Sequence, residues 1–84
     1  MKTQFELVID GRLFRMINMN VQKIQLLQVF TEVGGKQQRF HIHSDNGKDL
    51  IFAMPEFVPA DILSYERQLS EGINEFYSSP EGQS

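Results

Sequence analysis

The chain has 84 residues, of which eight are Lys or Arg, eleven are Asp or Glu and none is Cys. This length allows one small domain, since single domains usually contain about 100–150 residues. The missing cysteine excludes disulfides, thiolate nucleophiles and cysteine-ligated metal sites, and the net charge of −3 gives no support for a whole-domain polyanion binder.

Neither end of the chain shows a targeting or membrane segment. The start, Met1-Lys2-Thr3-Gln4, is polar and leads into no apolar run of signal-peptide length. No uninterrupted apolar stretch is long enough to span a bilayer. We therefore expect a cytoplasmic protein that makes no membrane contact. We further expect a single domain over residues 1–77 and a flexible, polar tail over residues 78–84.

The first part of the chain predicts a β-hairpin. Apolar and polar residues alternate from Thr3 to Ile9, which is typical of a half-buried strand. Asp10-Gly11 is a dipeptide favoured in tight hairpin turns. The returning strand runs from Arg12 to Asn18, and its other face is also partly apolar.

The segment from Asn20 to Gly35 fits two structures. On a helix, its apolar residues would gather on one side, with Asn20 as the N-cap and Gly34-Gly35 as the stop. As a strand, it would use the β-forming residues between 29 and 33, and Gly34-Gly35 would form a hairpin turn. We prefer the helix, because strict alternation breaks at Leu26-Leu27 and again at Val29-Phe30.

A second hairpin and a helix complete the chain. Residues 39–43 alternate, residues 44–47 form a turn, and residues 49–54 return as a strand. A helix is predicted from Ala60 to Tyr77, with Pro59 and Asp61 suited to its first turn. Gly72 lies beside the apolar stripe of this helix and indicates a close approach of another segment.

These elements predict an α+β fold in which a small antiparallel sheet of four or five strands carries a C-terminal helix on one face. The preferred order is β-β-α-β-β-α. The alternative is a five-stranded meander followed by one helix.

His41 and His43 are the one pair with metal-ligand spacing, because side chains two apart on a strand share a face. A usable site needs a third ligand, for which Glu6 or Asp49 would have to serve. We prefer to interpret the pair as an exposed or partner-facing surface. No serine or threonine stands convincingly beside a base. The sequence therefore predicts no enzyme, no metal and no cofactor.

Charge is spread unevenly along the chain. Residues 1–48 hold seven Lys or Arg and four acidic residues, a net charge of +3, whereas residues 49–84 hold one arginine and seven acidic residues, a net charge of −6. Arg39, His41 and His43 should share one sheet face, joined by Arg12 or Arg15 if the strands pair suitably. These five residues are the predicted partner-binding residues.

Apolar residues also occupy the second face of several strands, at Val8, Leu13, Ile17 and Ile51. One C-terminal helix covers only one face of a sheet. The apolar residues on the other face therefore predict association with another chain. We expect a small non-catalytic interaction module, either a homo-oligomer or a binder of another protein, that uses a sheet face or edge. The alternative is a nucleic-acid-binding regulator that uses the basic patch. It is not favoured, because the chain is acidic and the patch lacks interleaved exposed aromatic residues.

Overall fold

The computed structural model describes residues 1–83 and contains a five-stranded antiparallel sheet whose strands follow chain order from one edge to the other. The strands are β1 (Gln4–Ile9), β2 (Arg12–Asn18), β3 (Leu26–Val33), β4 (Lys36–His43) and β5 (Ile51–Phe52). A 3-10 turn (Pro55–Phe57), α1 (Ala60–Leu63) and α2 (Glu66–Ser78) follow. The α+β fold with a C-terminal helix is confirmed. Ser84, the last residue of the predicted tail, lies outside the described residues.

Two tight turns set the register of the sheet. Asp10 and Gly11 have φ angles of 52° and 78°, and Gly34 and Gly35 have φ angles of 59° and 81°. Positive φ at both central residues is the geometry of a type I′ turn, whose twist matches that of the flanking strands. The β1–β2 and β3–β4 hairpins pair without a bulge.

The helix that we preferred between Asn20 and Gly35 is wrong, because β3 occupies this segment and the sheet is the five-stranded meander. The apolar doublets that break the alternation arise because both faces of β3 carry apolar side chains. Leu27 and Val29 are fully buried on one face, while Phe30 lies half-buried on the other. Thr31 is a buried polar residue, and its hydroxyl donates to the Leu13 carbonyl at 2.9 Å.

The hydrophobic core lies between one sheet face and the helices. The largest fully buried side chains come from both layers, and they are Phe14, Met16, Leu27, Val29, Ile42, Ile62, Leu69 and Ile73. Phe5 of β1 stacks on Phe76 of α2 with ring centroids 4.0 Å apart. Burial of apolar area on this scale is the main favourable contribution to folding.

The single helix predicted from Ala60 to Tyr77 is interrupted. The structure has the one-turn α1, a break at Ser64 and Tyr65, and then α2. The Tyr65 N–H donates to the Ile62 carbonyl, which is the tighter 3-10 spacing. The break brings the Tyr65 ring to 5.2 Å from the ring of Phe14. The break thus places the Tyr65 ring against the core.

Polar side chains of α2 cover the free edge of β5. The Glu66 carboxylate accepts the Phe52 N–H at 2.9 Å, and the Ser70 hydroxyl accepts the Leu50 N–H at 3.1 Å. These two donors point away from β4, because the neighbouring Ala53 N–H bonds to the β4 carbonyl of His41. The β5 edge is therefore closed to further strand pairing.

Gly72 is the point of close approach that the sequence predicted. A Cβ built on this residue would lie 2.9 Å from Cδ1 of Leu7 in β1. Real Cβ atoms essentially never come so close to a neighbour. The missing side chain thus lets α2 pack closely beside β1.

The end of the described chain returns to the start of the sheet. The Lys2 N–H donates to the Gly82 carbonyl at 2.9 Å, and the Lys2 amine lies 3.9 Å from the Glu81 carboxylate. Gly82 is buried.

Candidate interaction surface

The sheet face opposite α2, here called the outer face, has no helix over it. Its membership follows from strand register, since side chains alternate between faces. The outer-face residues are Gln4, Glu6, Val8, Leu13, Arg15, Ile17, Leu26, Gln28, Phe30, Glu32, Gln37, Arg39, His41, His43 and Ile51.

Apolar side chains are exposed at two separated places on the outer face. Val8 and Leu13 pair directly beside the first turn and are 68% and 47% exposed. Leu26 and Ile51 flank His43 at the other end of the face and are 37% and 49% exposed. The prediction that apolar residues occupy an uncovered second face is confirmed for Val8, Leu13 and Ile51, whereas Ile17 is half-buried there.

Arg15 and Arg39 lie on either side of Phe30 in one row across the outer face. The Arg15 guanidinium is 3.7 Å from the Glu6 carboxylate, and both side chains are largely exposed. Arg39 has no acidic partner among the described residues. The row therefore contains one paired and one unpaired cation around an aromatic ring.

His41 and His43 extend this surface along β4. His41 lies opposite Gln28, and His43 lies opposite Leu26 on one side and Ile51 on the other. Within residues 1–83, no three His, Asp or Glu side chains come together in a way that could hold a metal ion. Glu6 is on β1, three strands away from β4.

Arg12 is the one predicted site residue that the structure places elsewhere. Its guanidinium lies on the helix side of the sheet, 2.9 Å from the Asp61 carboxylate and 5.6 Å from the centre of the Tyr65 ring. Its Nη1 atom is buried with no hydrogen-bond partner. The structure therefore brings together Arg15, Arg39 and the two histidines, and it separates them from Arg12.

The alternation of side chains along the first hairpin already separates Arg12 from the other predicted site residues. Arg12 is two residues before Phe14, so both side chains must lie on the same face of β2. Phe14 matches the core face in the alternating pattern. Arg15 directly follows Phe14, so its side chain lies on the outer face.

A cavity of about 630 Å³ is lined by residues of both sides of the sheet, with Glu6, Arg15 and Phe30 from the outer face and Phe5 and Phe76 from the core side. The lining includes no serine, threonine, histidine or cysteine. It therefore offers apolar contact and charged hydrogen bonds, which suits recognition of a surface.

Comparison with protein-family models, curated proteins and solved structures found no match to the chain. None of the helices in the described part of the chain is long and apolar enough to cross a membrane.

Proposed function

We propose that this chain is a small non-catalytic interaction module that self-associates through the outer face of its sheet. The main support for the proposal is that only one face of the sheet is covered. The helices α1 and α2 pack on the core face. On the other face, four apolar side chains remain exposed: Val8, Leu13, Leu26 and Ile51. Apolar side chains beside charged ones are typical of surfaces that bind proteins.

A second copy of the chain suits this face because the face carries both signs of charge. Arg15 and Arg39 lie among Glu6 and Glu32, so two outer faces can present opposite charges to each other. Such complementarity orients an interface more than it strengthens it. Burial of the apolar side chains would supply the free energy of association.

Oligomeric state over a range of protein concentrations tests the proposal. We expect sedimentation velocity to show a concentration-dependent dimer. The double variant Leu13→Gln with Ile51→Gln should shift the dimer towards monomer by about tenfold or more in Kd, because two apolar contacts are lost. Phe57→Gln is the matched control, since Phe57 is 72% exposed but lies outside the sheet. A chain that stays monomeric at high concentration contradicts the proposal.

Nucleic-acid binding is the second candidate, and one observation favours it. Arg39, His41 and His43 project together from β4, and no acidic residue pairs with them across the neighbouring strands. Binding to a mixed pool of oligonucleotides should then weaken steeply as salt rises. Arg39→Gln should reduce it, whereas Arg67→Gln on the outward side of α2 should not. Salt-independent or absent binding rejects this candidate.

A further inference from the structure

The free edge of β1 carries backbone groups without partners. The Asn18 N–H donates to the Thr3 carbonyl at 2.7 Å, so the odd-numbered residues of this segment direct their backbone groups towards β2. The N–H and C=O groups of Gln4, Glu6 and Val8 therefore point away from the sheet. No described residue forms a hydrogen bond with them.

The two edges of the sheet differ in how far their backbone groups are hydrogen-bonded. At β5, side chains of α2 accept the outward N–H groups. Along the β1 edge, the described residues form one such hydrogen bond, just before the strand begins, where the Lys2 N–H donates to the Gly82 carbonyl. That bond shows that the turn that follows α2 already approaches this edge from the helix side. The rest of the β1 edge remains available for strand pairing.

A groove runs between this edge and α2, here called the edge groove. Its volume is about 500 Å³, and Leu7, Gly72 and Phe76 contribute its apolar surface. Glu71 and Glu75 line it from the helix. Both carboxylates are on exposed residues. Glu71 is paired with Arg67 at 3.0 Å, whereas Glu75 has no ion-pair partner among the described residues. An edge strand beside a helix is a geometry that accommodates an added extended peptide.

We propose that the edge groove binds an extended segment of another protein that carries Lys or Arg among apolar residues, and that this segment pairs with β1 as an additional strand. Its backbone would bond to the outward groups of Gln4, Glu6 and Val8. Alternate side chains would enter the groove, where the apolar stem of a Lys or Arg crosses Gly72 while its charged end reaches Glu71 or Glu75.

A second copy of the chain is a poor occupant of this groove. Antiparallel pairing of β1 with the same strand of another copy would bring acidic residues of one edge towards those of the other, because each edge carries Glu6. Each copy would also bring the acidic side of its α2. Like charges placed opposite each other on neighbouring strands are destabilising. The lining of the edge groove shares Val8 alone with the outer face, and the other residues of the groove lie on β1, on α2 and at Ser79, so this proposal does not rest on self-association.

Amide chemical shifts measured by NMR during peptide titration test the proposal. The probe is a synthetic peptide that alternates valine and lysine over the length of β1, with a peptide that alternates valine and glutamate as its charge-reversed counterpart. We expect the lysine peptide to bind and the glutamate peptide not to bind. On binding, the amides of Gln4, Glu6 and Val8 should shift and exchange more slowly with solvent.

Two independent variants locate the bound peptide. Val8→Pro removes an outward N–H without removing a β1–β2 hydrogen bond, and proline is tolerated at such edge positions. It should weaken peptide binding by about fivefold to tenfold, the equivalent of one backbone hydrogen bond, whereas Val8→Ala should change it little. The double variant Glu71→Gln with Glu75→Gln should weaken binding similarly without touching the strand. The double variant Glu32→Gln with Glu56→Gln is its charge-matched control, because neither residue lines the groove.

Circular dichroism checks that each variant keeps the wild-type fold. The proposal is wrong if neither peptide binds, if both bind equally, or if the shifted amides lie on β4 and the rest of the outer face. It is also wrong if slow exchange at Gln4, Glu6 and Val8 appears with rising protein concentration alone, since that result identifies a second copy as the occupant. Failure here leaves the sedimentation test of the outer face unaffected.

Discussion

Tyr77 joins the C-terminal end of α2 to the start of the sheet. Its hydroxyl donates to the Lys2 carbonyl at 2.7 Å and accepts from the Asn18 side-chain amide at 3.1 Å. Asn18 and Tyr77 are both buried, and the other acceptor of the Asn18 side-chain amide is the Met1 sulfur at 3.5 Å, so the Tyr77 hydroxyl is its closer partner. The side chain thus connects three segments that are far apart in the sequence.

Removal of this hydroxyl should destabilise the fold. Tyr77→Phe leaves the Asn18 amide and the Lys2 carbonyl without this partner, and we expect a loss of about 1–2 kcal/mol in the free energy of unfolding. Urea denaturation measures this loss. Tyr65→Phe is the control, because the Tyr65 hydroxyl makes no hydrogen bond among the described residues and its removal should cost far less. Equal effects of the two substitutions contradict the role given to Tyr77.

Tyr77 should also make the free energy of unfolding depend on pH in the alkaline range. Burial raises the pKa of Tyr77 above the ordinary tyrosine value, although the hydrogen bond from Asn18 acts in the opposite direction. The folded state therefore holds the phenolic proton more tightly than the unfolded state. The resulting stability is fully present below the ordinary pKa of about 10 and is lost as the pH rises through the raised pKa.

Urea denaturation at a series of pH values can isolate this contribution. The difference in unfolding free energy between the wild-type chain and Tyr77→Phe should narrow as the pH rises above about 10. Other titrating groups are common to both proteins, so they cancel in the difference. Parallel curves through this range contradict the prediction.

Arg12 should stabilise the fold mainly through packing. Its guanidinium lies against Tyr65 and Asp61, but Nη1 is buried without a hydrogen bond. Arg12→Ala removes the stem and the charge together, and we expect a loss of about 1 kcal/mol or more. Arg12→Met keeps the apolar stem and removes the unpaired atom, so it should cost much less. Thermal denaturation compares the two, and equal losses would show that the ion pair dominates.

At the level of elements, the first hairpin could be predicted from the sequence, whereas the middle segment could not, and the strand predicted over residues 49–54 is confined to Ile51–Phe52. Alternation together with Asp10-Gly11 was enough to locate β1 and β2. The pattern of β3 resembled an amphipathic helix because its outward side chains include Leu26 and Phe30, and because Thr31, a polar residue, lies inward. A period-two pattern becomes ambiguous when both faces of a strand carry apolar residues.

The candidate surface was predictable to a similar degree. Arg39, His41 and His43 share a face because they lie two apart on one strand, which the sequence alone shows. The edge groove depends on where α2 lies relative to β1, and this tertiary placement leaves no short-range pattern. Gly72 marked the close approach but did not identify Leu7 as the neighbour. The break at Ser64 was also hidden, since that segment contains neither glycine nor proline.

The type I′ turn between β3 and β4 should be sensitive to glycine replacement. Gly35 has a φ angle of 81° and nothing within 4 Å of an added Cβ. Gly35→Ala should therefore destabilise the protein through backbone strain alone, by about 1 kcal/mol. Urea denaturation measures the effect. Gly72→Ala gives a contrast. There the cost comes from the contact between the added Cβ and Leu7, while alanine has a higher helix propensity than glycine. A neutral Gly35→Ala would contradict the turn assignment.

At the scale of the whole molecule, charge is divided between the two layers. The strands belong largely to the net positive part of the chain, and the helices belong to the net negative part. Among residues 1–83, two ion pairs join these parts, Arg12 with Asp61 and Lys2 with Glu81. Opposite net charges on packed layers favour their association and are screened by salt.

Added salt should therefore lower stability. Raising NaCl to about 1 M, where the Debye length is about 3 Å, should reduce the unfolding free energy by up to about 1 kcal/mol. Thermal denaturation at low and high salt measures this change. The double variant Asp61→Asn with Glu81→Gln should be less sensitive to salt than the wild-type chain. Stability that is independent of salt in both proteins contradicts the prediction.

The meander order also has a kinetic consequence. Each strand pairs with the next one along the chain, so the sheet can assemble through short loop closures. The hydrogen bond between Tyr77 and Lys2 spans 75 residues, and it forms only when α2 has docked. Until then, the future core face and the β5 edge, which side chains of α2 later cover, are both open to solvent and to other chains. We expect the rate at which α2 docks to determine how long a newly made chain remains prone to aggregation.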